Sequence, residues 1–298
     1  MPSLRAQFFY MNMKVFFRYL MPPAMSLETY RKASNQPLFE PVPRGISWKP
    51  GQINDVPGDW MTPSNALMDR VLLYLHGGGY VLRTPHVHRV LVGRLARSMM
   101  GRAFIPDYRL APEHPFPAAL DDVLAVYRGL IASGYTPSQI VVAGESAGGG
   151  LTAALLLSLR DRGESLPAAA CLISALLDCT FSGKRLAELQ RVDPFLRIGD
   201  LSTMAKHYYA MEDPRHPLIS PLWANLVGLP SLFVIAGENE ILSDESIQFA
   251  ERARQAGVEV HLKIWDGMIH AFPLFAGFIP EGQAAITEIG AFFSTHLP

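Results

Sequence analysis

An α/β fold, with a largely parallel sheet and crossover helices, is predicted by two features of this 298-residue sequence. Short β-rich runs alternate with longer helical patterns, the signature of strands joined by crossovers. The strand runs, such as Leu232-Phe233-Val234-Ile235-Ala236, are continuously apolar rather than alternating, as strands covered on both faces require. With 49 % of side chains apolar, one large core can form, and a single domain spanning 1–298 is expected.

Taken in order, the strand candidates are 71–75, 103–105, 139–143, 169–176, 231–236 and 258–264. Helical patterns fall at 87–100, 118–133, 147–162, 243–255 and 281–293. Two segments break this rhythm: the opening stretch of about sixty residues, and a mainly helical stretch at 181–217. Insertions at the strand ends of an open sheet often cover a site. We therefore expect a helical cap drawn from about 1–50 and 181–217.

The N-terminus is apolar, yet Asn12, Lys14 and Arg18 interrupt it, so no run reaches the roughly 20 residues of a membrane span. Pro22-Pro23 stands where a signal peptide would carry small residues for cleavage. Phe9, Met13, Phe16, Phe17 and Leu20 fall at helical spacing, which describes an amphipathic helix docked on the body. A helix lying in a membrane interface is the alternative. Net charge is −1, and no basic stripe exists for a phosphate backbone, which argues against nucleic-acid binding. Cys171 and Cys179 share one apolar run and show neither a metal-ligand pattern nor a disulfide framework, which fits a reducing, cytoplasmic setting.

The strongest local signal is Gly144-Glu145-Ser146-Ala147-Gly148, with Ile140-Val141-Val142-Ala143 before it and a helical run after it. Serine between two glycines at a strand-to-helix junction is the pattern of a nucleophile elbow. The sharp turn strains the serine backbone, and a Cβ at either glycine would crowd the neighbouring elements. Gly148, Gly149 and Gly150 open a helix although each costs roughly 1 kcal/mol relative to alanine inside one. Such a run makes sense where another backbone must come close.

Upstream, Val71-Leu72-Leu73-Tyr74-Leu75 runs into His76-Gly77-Gly78-Gly79-Tyr80. Acyl transfer needs amide donors aimed at the oxygen of a tetrahedral intermediate. Gly77, Gly78 and Gly79, with the Ala147 amide, are the candidate oxyanion hole. A phosphate loop would want Gly-x-Gly-x-x-Gly or Gly-Lys-Ser/Thr, and neither is present. His76 reads as a structural hydrogen-bonding residue that fixes the loop.

His76-Gly77-Gly78-Gly79, Asp107-Tyr108-Arg109-Leu110-Ala111-Pro112-Glu113, Phe116-Pro117-Ala118-Ala119 and Gly144-Glu145-Ser146-Ala147-Gly148-Gly149 resemble the bacterial hormone-sensitive-lipase family of esterases, in order and in spacing. The resemblance covers the chain from about residue 71 onward. It implies the α/β-hydrolase fold, with about eight mostly parallel strands, flanking helices and a helical cap. It also implies carboxylesterase activity on small, mostly short-acyl esters, no cofactor, and frequent homodimers. Residues 107–113 are then structural, bracing the loops around the elbow, and Arg109 and Glu113 read as an ion pair.

A serine hydroxyl needs a base, and the base needs an orienting group. In α/β-hydrolases these follow the serine as acid, then histidine. His76, His86, His88 and His114 precede Ser146. His86 and His88 form a His-x-His pair with no third metal ligand evident. His207 and His216 lie in the expected cap, His261 in the last strand pattern, and His296 at the chain end. His270 follows the final strand in Gly267-Met268-Ile269-His270-Ala271-Phe272, similar to the family's Gly-x-x-His-x-Phe, and is the candidate base. Glu240 in Gly237-Glu238-Asn239-Glu240-Ile241-Leu242-Ser243-Asp244 is the candidate acid, where the family usually has aspartate. Asp244 is its rival and Glu238 the third choice, although Asp244 reads as a first-turn helix carboxylate.

The expected chemistry is ester hydrolysis through an acyl-enzyme on Ser146, with no metal. An amidase or lactonase would use the same triad, and a non-catalytic binding protein could share the scaffold. Phe8, Phe9, Met13, Phe16 and Phe17 are candidates to wall an apolar pocket, with a plain packing role as the alternative.

Overall fold

The computed structural model describes residues 1–20, 26–34 and 41–298. The Leu20 side chain, Pro22-Pro23 and the remainder of the expected N-terminal cap segment at 21–25 and 35–40 lie outside the described residues. The chain begins with α1 (Leu4–Val15), a π-helical turn (Phe16–Leu20) and α2 (Leu27–Ser34). A hairpin follows, β1 (Ile46–Ile53) and β2 (Val56–Pro63), then β3 (Val71–Leu75), α3 (Pro85–Ser98), β4 (Arg102–Pro106) and α4 (Ala118–Ala132). The second half runs β5 (Ile140–Glu145), α5 (Ala147–Asp161), β6 (Ala169–Ile173), α6 (Leu186–Val192) and α7 (Ile198–Tyr209). It closes with β7 (Ser231–Gly237), α8 (Ser243–Gln255), β8 (Val260–Trp265) and α9 (Pro280–His296).

The strands form one sheet in the order β1-β2-β4-β3-β5-β6-β7-β8. Pairing is parallel from β4 through β8, whereas β2 is antiparallel to both β1 and β4. This is the mostly parallel eight-stranded sheet of the α/β-hydrolase fold. Strands β3, β5 and β6 are buried at every position, which is why their sequences are apolar without alternation. One apolar layer, built on α4, α5 and α8, covers one face; the other packs α3 and α9 with Ala6 of α1.

After β3 the chain moves outward to β4, and after β5 it moves the opposite way to β6. Loops that leave adjacent strands in opposite directions open a crevice at the strands' carboxyl ends, where ligands of open α/β sheets bind. The His76–Gly79 loop and Ser146 flank that crevice.

The hairpin departs from expectation, because the opening residues divide between helices and sheet. Ile46–Ile53 pairs along its whole length with Val56–Pro63, so 46–50 belongs to the sheet and not to a cap. The strand is mostly exposed and carries Pro50 and Gly51, which hides it from a search for apolar runs. Its signal is the turn: Asn54 and Asp55 both have positive φ, 45° and 63°, as a two-residue hairpin turn requires.

The expected Arg109–Glu113 pair does not form. Arg109 instead makes a bidentate contact with Asp122 of α4, at 2.7 Å and 3.0 Å, and its backbone N–H donates to the same carboxylate at 2.8 Å. Glu113 pairs with Arg31 of α2, which also donates to the carbonyls of Val81 and Ala111. Two charges four residues apart in a loop have no helix to align them, so each found a partner on a different element. Asp122 is nearly buried and, among the described residues, accepts only from Arg109, so Asp122→Ala should lower unfolding free energy by about 2–4 kcal/mol. Glu113→Ala, on the surface, should cost under about 1 kcal/mol. Urea unfolding of the two variants checks the order.

Candidate active site

Strand β5 ends at Glu145, and Ser146 stands between it and α5 with φ 55° and ψ −124°. That conformation is strained for a residue with a Cβ and persists only where its surroundings fix it. Here the Ser146 N–H donates to the Ile173 carbonyl at 2.9 Å. Its own carbonyl accepts from Gly149, Gly150 and Leu176 at 3.0, 3.1 and 2.9 Å. A Cβ on Gly148 would run into the Leu75 carbonyl and come within 2.6 Å of the His76 carbonyl oxygen. Glycine there lets α5 begin directly against the end of β3. Ala147 is the first residue of α5, and its N–H is among those an α-helix leaves without an intrahelical acceptor.

The loop after β3 is held from the same strand. Glu145 Oε1 accepts the Gly77 N–H at 2.5 Å and His88 Nε2 at 2.8 Å, and Oε2 accepts the Tyr74 hydroxyl at 2.6 Å. Burial acts to raise the Glu145 carboxyl, but His88, Tyr74 and Gly77 outweigh it and hold it below the usual range. Gly78 and Gly79 have φ of 117° and 61°, the left-handed region that glycine enters freely. Burial lowers His76 to a pKa of about 3, so its ring is neutral; Nδ1 donates to the Gly77 carbonyl at 2.8 Å, and the ring stacks on Tyr108 at 4.2 Å. Of the His-x-His pair, His88 serves Glu145, and among the described residues no group of three or more His, Cys, Asp or Glu could hold an ion.

Opposite, His270 Nδ1 donates to Glu240 Oε2 at 3.0 Å, with both side chains buried. Glu240 Oε1 accepts the Gly237 N–H at 3.1 Å, which fixes the carboxylate at the end of β7. The two loops are joined along their backbones. Glu238 N–H donates to the Trp265 carbonyl at 3.0 Å and Asn239 N–H to that of Met268 at 2.9 Å. Glu238 itself accepts the Gly267 N–H at 2.9 Å and so braces the His270 loop from outside. Asp244 stands in the first turn of α8 and accepts from Gln248 at 3.0 Å. The Ala271 N–H donates to Ser174 Oγ at 3.0 Å. Ser146 and the His270 loop therefore hang from consecutive residues, Ile173 and Ser174.

The helical segment at 181–217 lies over this crevice. Met204 of α7 faces Gly79 so closely that a Cβ there would meet its sulfur at 2.6 Å, and Tyr208 stacks on Tyr80 at 3.6 Å. The Phe195 ring is 6.1 Å from His270 and nearly parallel to it, and Phe17 meets Phe195 edge-on at 4.7 Å. The Tyr10 hydroxyl donates to the Val192 carbonyl at 2.8 Å, joining α1 to this segment. Phe8 and Phe16 do not wall the crevice, being 73 % and 50 % exposed. The turn from α-helix to π-helix at Phe16 resets the register that placed Phe16 and Phe17 on one face.

Asp193 was not singled out by sequence. It is fully buried and accepts N–H groups from Phe195 and Leu196, each at 2.8 Å, and from Ile241 at 3.0 Å, next to Glu240. Burial pushes its carboxyl up to about 6 against the pull of those amides and of His270. Its only local signal is Asp193-Pro194-Phe195, a side chain able to cap the backbone two residues on. The long-range partner Ile241 carries no such signal.

A family model described as alpha/beta hydrolase fold matches residues 72–274. The chain is 40 % identical over 237 residues to an acetyl-hydrolase of Streptomyces hygroscopicus, covering 80 % of this chain and 79 % of that one. A crystal structure of an esterase from the bacterial hormone-sensitive lipase family superposes with a TM-score of 0.93 at 37 % identity, covering all of both chains. A crystal of EstE5 soaked with p-nitrophenyl butyrate gives 0.94 at 35 % identity, covering 99 % of both. With this sheet, this strained serine and these matches, the chain belongs to the bacterial hormone-sensitive-lipase family of α/β-hydrolases and is a carboxylic ester hydrolase.

Proposed function

We propose that the protein hydrolyses small, short-acyl carboxylic esters through an acyl-enzyme on Ser146, with His270 as base and Glu240 as acid. The observation that carries this reading is the hanging of the Ser146 and His270 loops from adjacent residues, Ile173 and Ser174, with Glu240 hydrogen-bonded to the far side of the His270 ring. Because Nδ1 donates to Glu240, Nε2 is left as the acceptor that a serine hydroxyl needs.

In the proposed cycle Ser146 Oγ attacks the ester carbonyl while His270 Nε2 takes its proton. The carbonyl oxygen becomes an oxyanion beside the N–H groups of Gly78, Gly79 and Ala147 at the start of α5, where the helix dipole also favours negative charge. The Gly77 N–H, expected in this set, is instead spent on the Glu145 carboxylate and holds the loop. The His270 imidazolium, stabilised by Glu240, protonates the leaving alcohol. Water then attacks the acyl-enzyme, giving its proton to His270, and collapse returns the proton to Ser146 and releases the acid. The extra methylene of glutamate is accommodated by the Gly237 N–H, which holds the second carboxylate oxygen. Phe17, Phe195 and Met204 supply the apolar wall, and the names of the relatives, an acetyl-hydrolase and an esterase soaked with a butyrate ester, support a short acyl group. A cytoplasmic protein is part of the reading, supported by two buried cysteines with unpaired thiols. A homodimer is part of it too, on the family resemblance.

Ser146→Ala should lower kcat on p-nitrophenyl acetate by about 10⁴-fold or more, and Glu240→Gln by about 10²–10⁴-fold, with circular dichroism unchanged. Asp244→Asn should stay within about twofold of wild type, as expected of a helix-surface carboxylate. A larger loss at Asp244 than at Glu240 would overturn the assignment of the acid, and full activity in Ser146→Ala the whole mechanism. Glu145→Gln tests the loop support: kcat should fall at least about tenfold with KM nearly unchanged, an oxyanion donor lost outright being worth about 10²–10³. Matched ester and amide substrates should give a large preference for the ester.

A further inference from the structure

Helix α1 is apolar on two opposite faces. Ala6, Phe9, Tyr10 and Met13, at helical spacing, pack onto the layer of α3 and α9, with Phe9 4.9 Å from the Phe275 ring. Leu4, Phe8, Met11 and Val15 repeat the same spacing on the other side and are 83 %, 73 %, 57 % and 46 % exposed. The helix is firmly set in this orientation. Ser3 caps it, with Oγ accepting the Ala6 N–H at 3.1 Å, and the Ser3 N–H and hydroxyl donate to Glu281 at 2.6 and 3.0 Å. At its other end Arg18 and Tyr10 donate to the carbonyls of Asp193 and Val192. The outer stripe is therefore not the accidental face of a loose end.

A helix hydrophobic on both faces is normally buried on both. Charge indicates what covers the outer one. Residues 1–20 contain no Asp or Glu, while Arg5 and Lys14 stand on the two flanks of the stripe, beside Gln7 and Asn12. An apolar stripe bordered by cations, with no acid on its own helix and the nearby Glu281 and Asp266 carboxylates taken up by Ser3 and the Met1 amine, suits the headgroup boundary of an anionic membrane, where the stripe enters the acyl region and the cations meet lipid phosphates. No helix among the described residues is long and apolar enough to cross a membrane, so the contact is a surface one.

We infer that the outer face of α1, Leu4-Phe8-Met11-Val15, docks the enzyme on an anionic lipid surface. Phe17, just beyond α1, touches Phe195, which faces His270. The docked helix is thus in contact, through Phe17, with the segment that lies over the crevice. The inference rests on the helix surface and not on the identity of the triad.

Flotation of the full chain with vesicles of phosphatidylglycerol and phosphatidylcholine, against phosphatidylcholine alone, is the test. The protein should float with the anionic vesicles, and less so as NaCl is raised. The double variant Phe8→Ser, Met11→Ser should partition at least about tenfold more weakly, and Lys14→Gln should weaken binding only to anionic vesicles. Leu67→Ser, Met68→Ser, which changes exposed apolar residues elsewhere, should bind as wild type. Hydrolysis of soluble p-nitrophenyl acetate should be unchanged in every variant, which separates loss of docking from misfolding and from any error in the triad. Failure of the wild type to float, or equal flotation of the Phe8→Ser, Met11→Ser protein, would overturn the inference. So would light scattering in which that variant splits a wild-type dimer that does not bind vesicles, since the stripe would then cover a second copy.

Discussion

The carboxylate of Glu145 is the knot on which the crevice depends. It lies one residue before Ser146, is buried, and receives Gly77 N–H, His88 and the Tyr74 hydroxyl. A buried carboxylate is costly unless its oxygens are filled, and these three donors come from β3, the loop after it, and α3. Satisfying one charge therefore fixes three elements relative to β5. The Gly77–Gly79 loop is thereby set beside Ser146, and the proposed oxyanion donors Gly78 and Gly79 gain the preorganisation that such stabilisation requires.

A second set of constraints holds Glu240 and His270, the proposed acid and base. Glu240 is clamped by the Gly237 N–H on one oxygen and His270 on the other, while the loops bearing them are joined along their backbones. Asp193 extends this frame into the segment over the crevice, since it accepts from Ile241 of the acid loop and from Phe195 and Leu196 of the covering segment. The acid-candidate loop beside His270 and the segment that covers it are thus linked through one buried side chain. The link also explains why Phe195 faces His270: its backbone is tied to the residue that touches the acid loop.

The N-terminal helix shows how one stretch of sequence can serve two surfaces. Its inner stripe completes the packing of α3 and α9, and its C-terminal end reaches the covering segment. Its outer stripe is left for a partner outside the protein. Because the stripes lie on opposite sides, the sequence reads as uniformly greasy, and only the inner half of it answers to an amphipathic helix docked on the body.

The sequence by itself determined the parallel core strands, because strands covered on both faces must be apolar throughout, and it marked Ser146 as the candidate nucleophile, because glycines on both sides of a serine at a strand-to-helix junction suit an elbow. His270 and Glu240 could be named from chain order, yet whether Glu240 or Asp244 faces the imidazole is a question of where a loop returns. Only the tertiary structure brings Glu240 to 3.0 Å from the ring and leaves Asp244 on a helix surface. The same limit hid the Arg109–Asp122 and Arg31–Glu113 pairs, the roles of His88 and Asp193, and the exposed edge hairpin. Hydrophobic period and turn chemistry are local and are written along the chain; the partner of a charge is chosen by the packing of distant elements, and no local pattern records it.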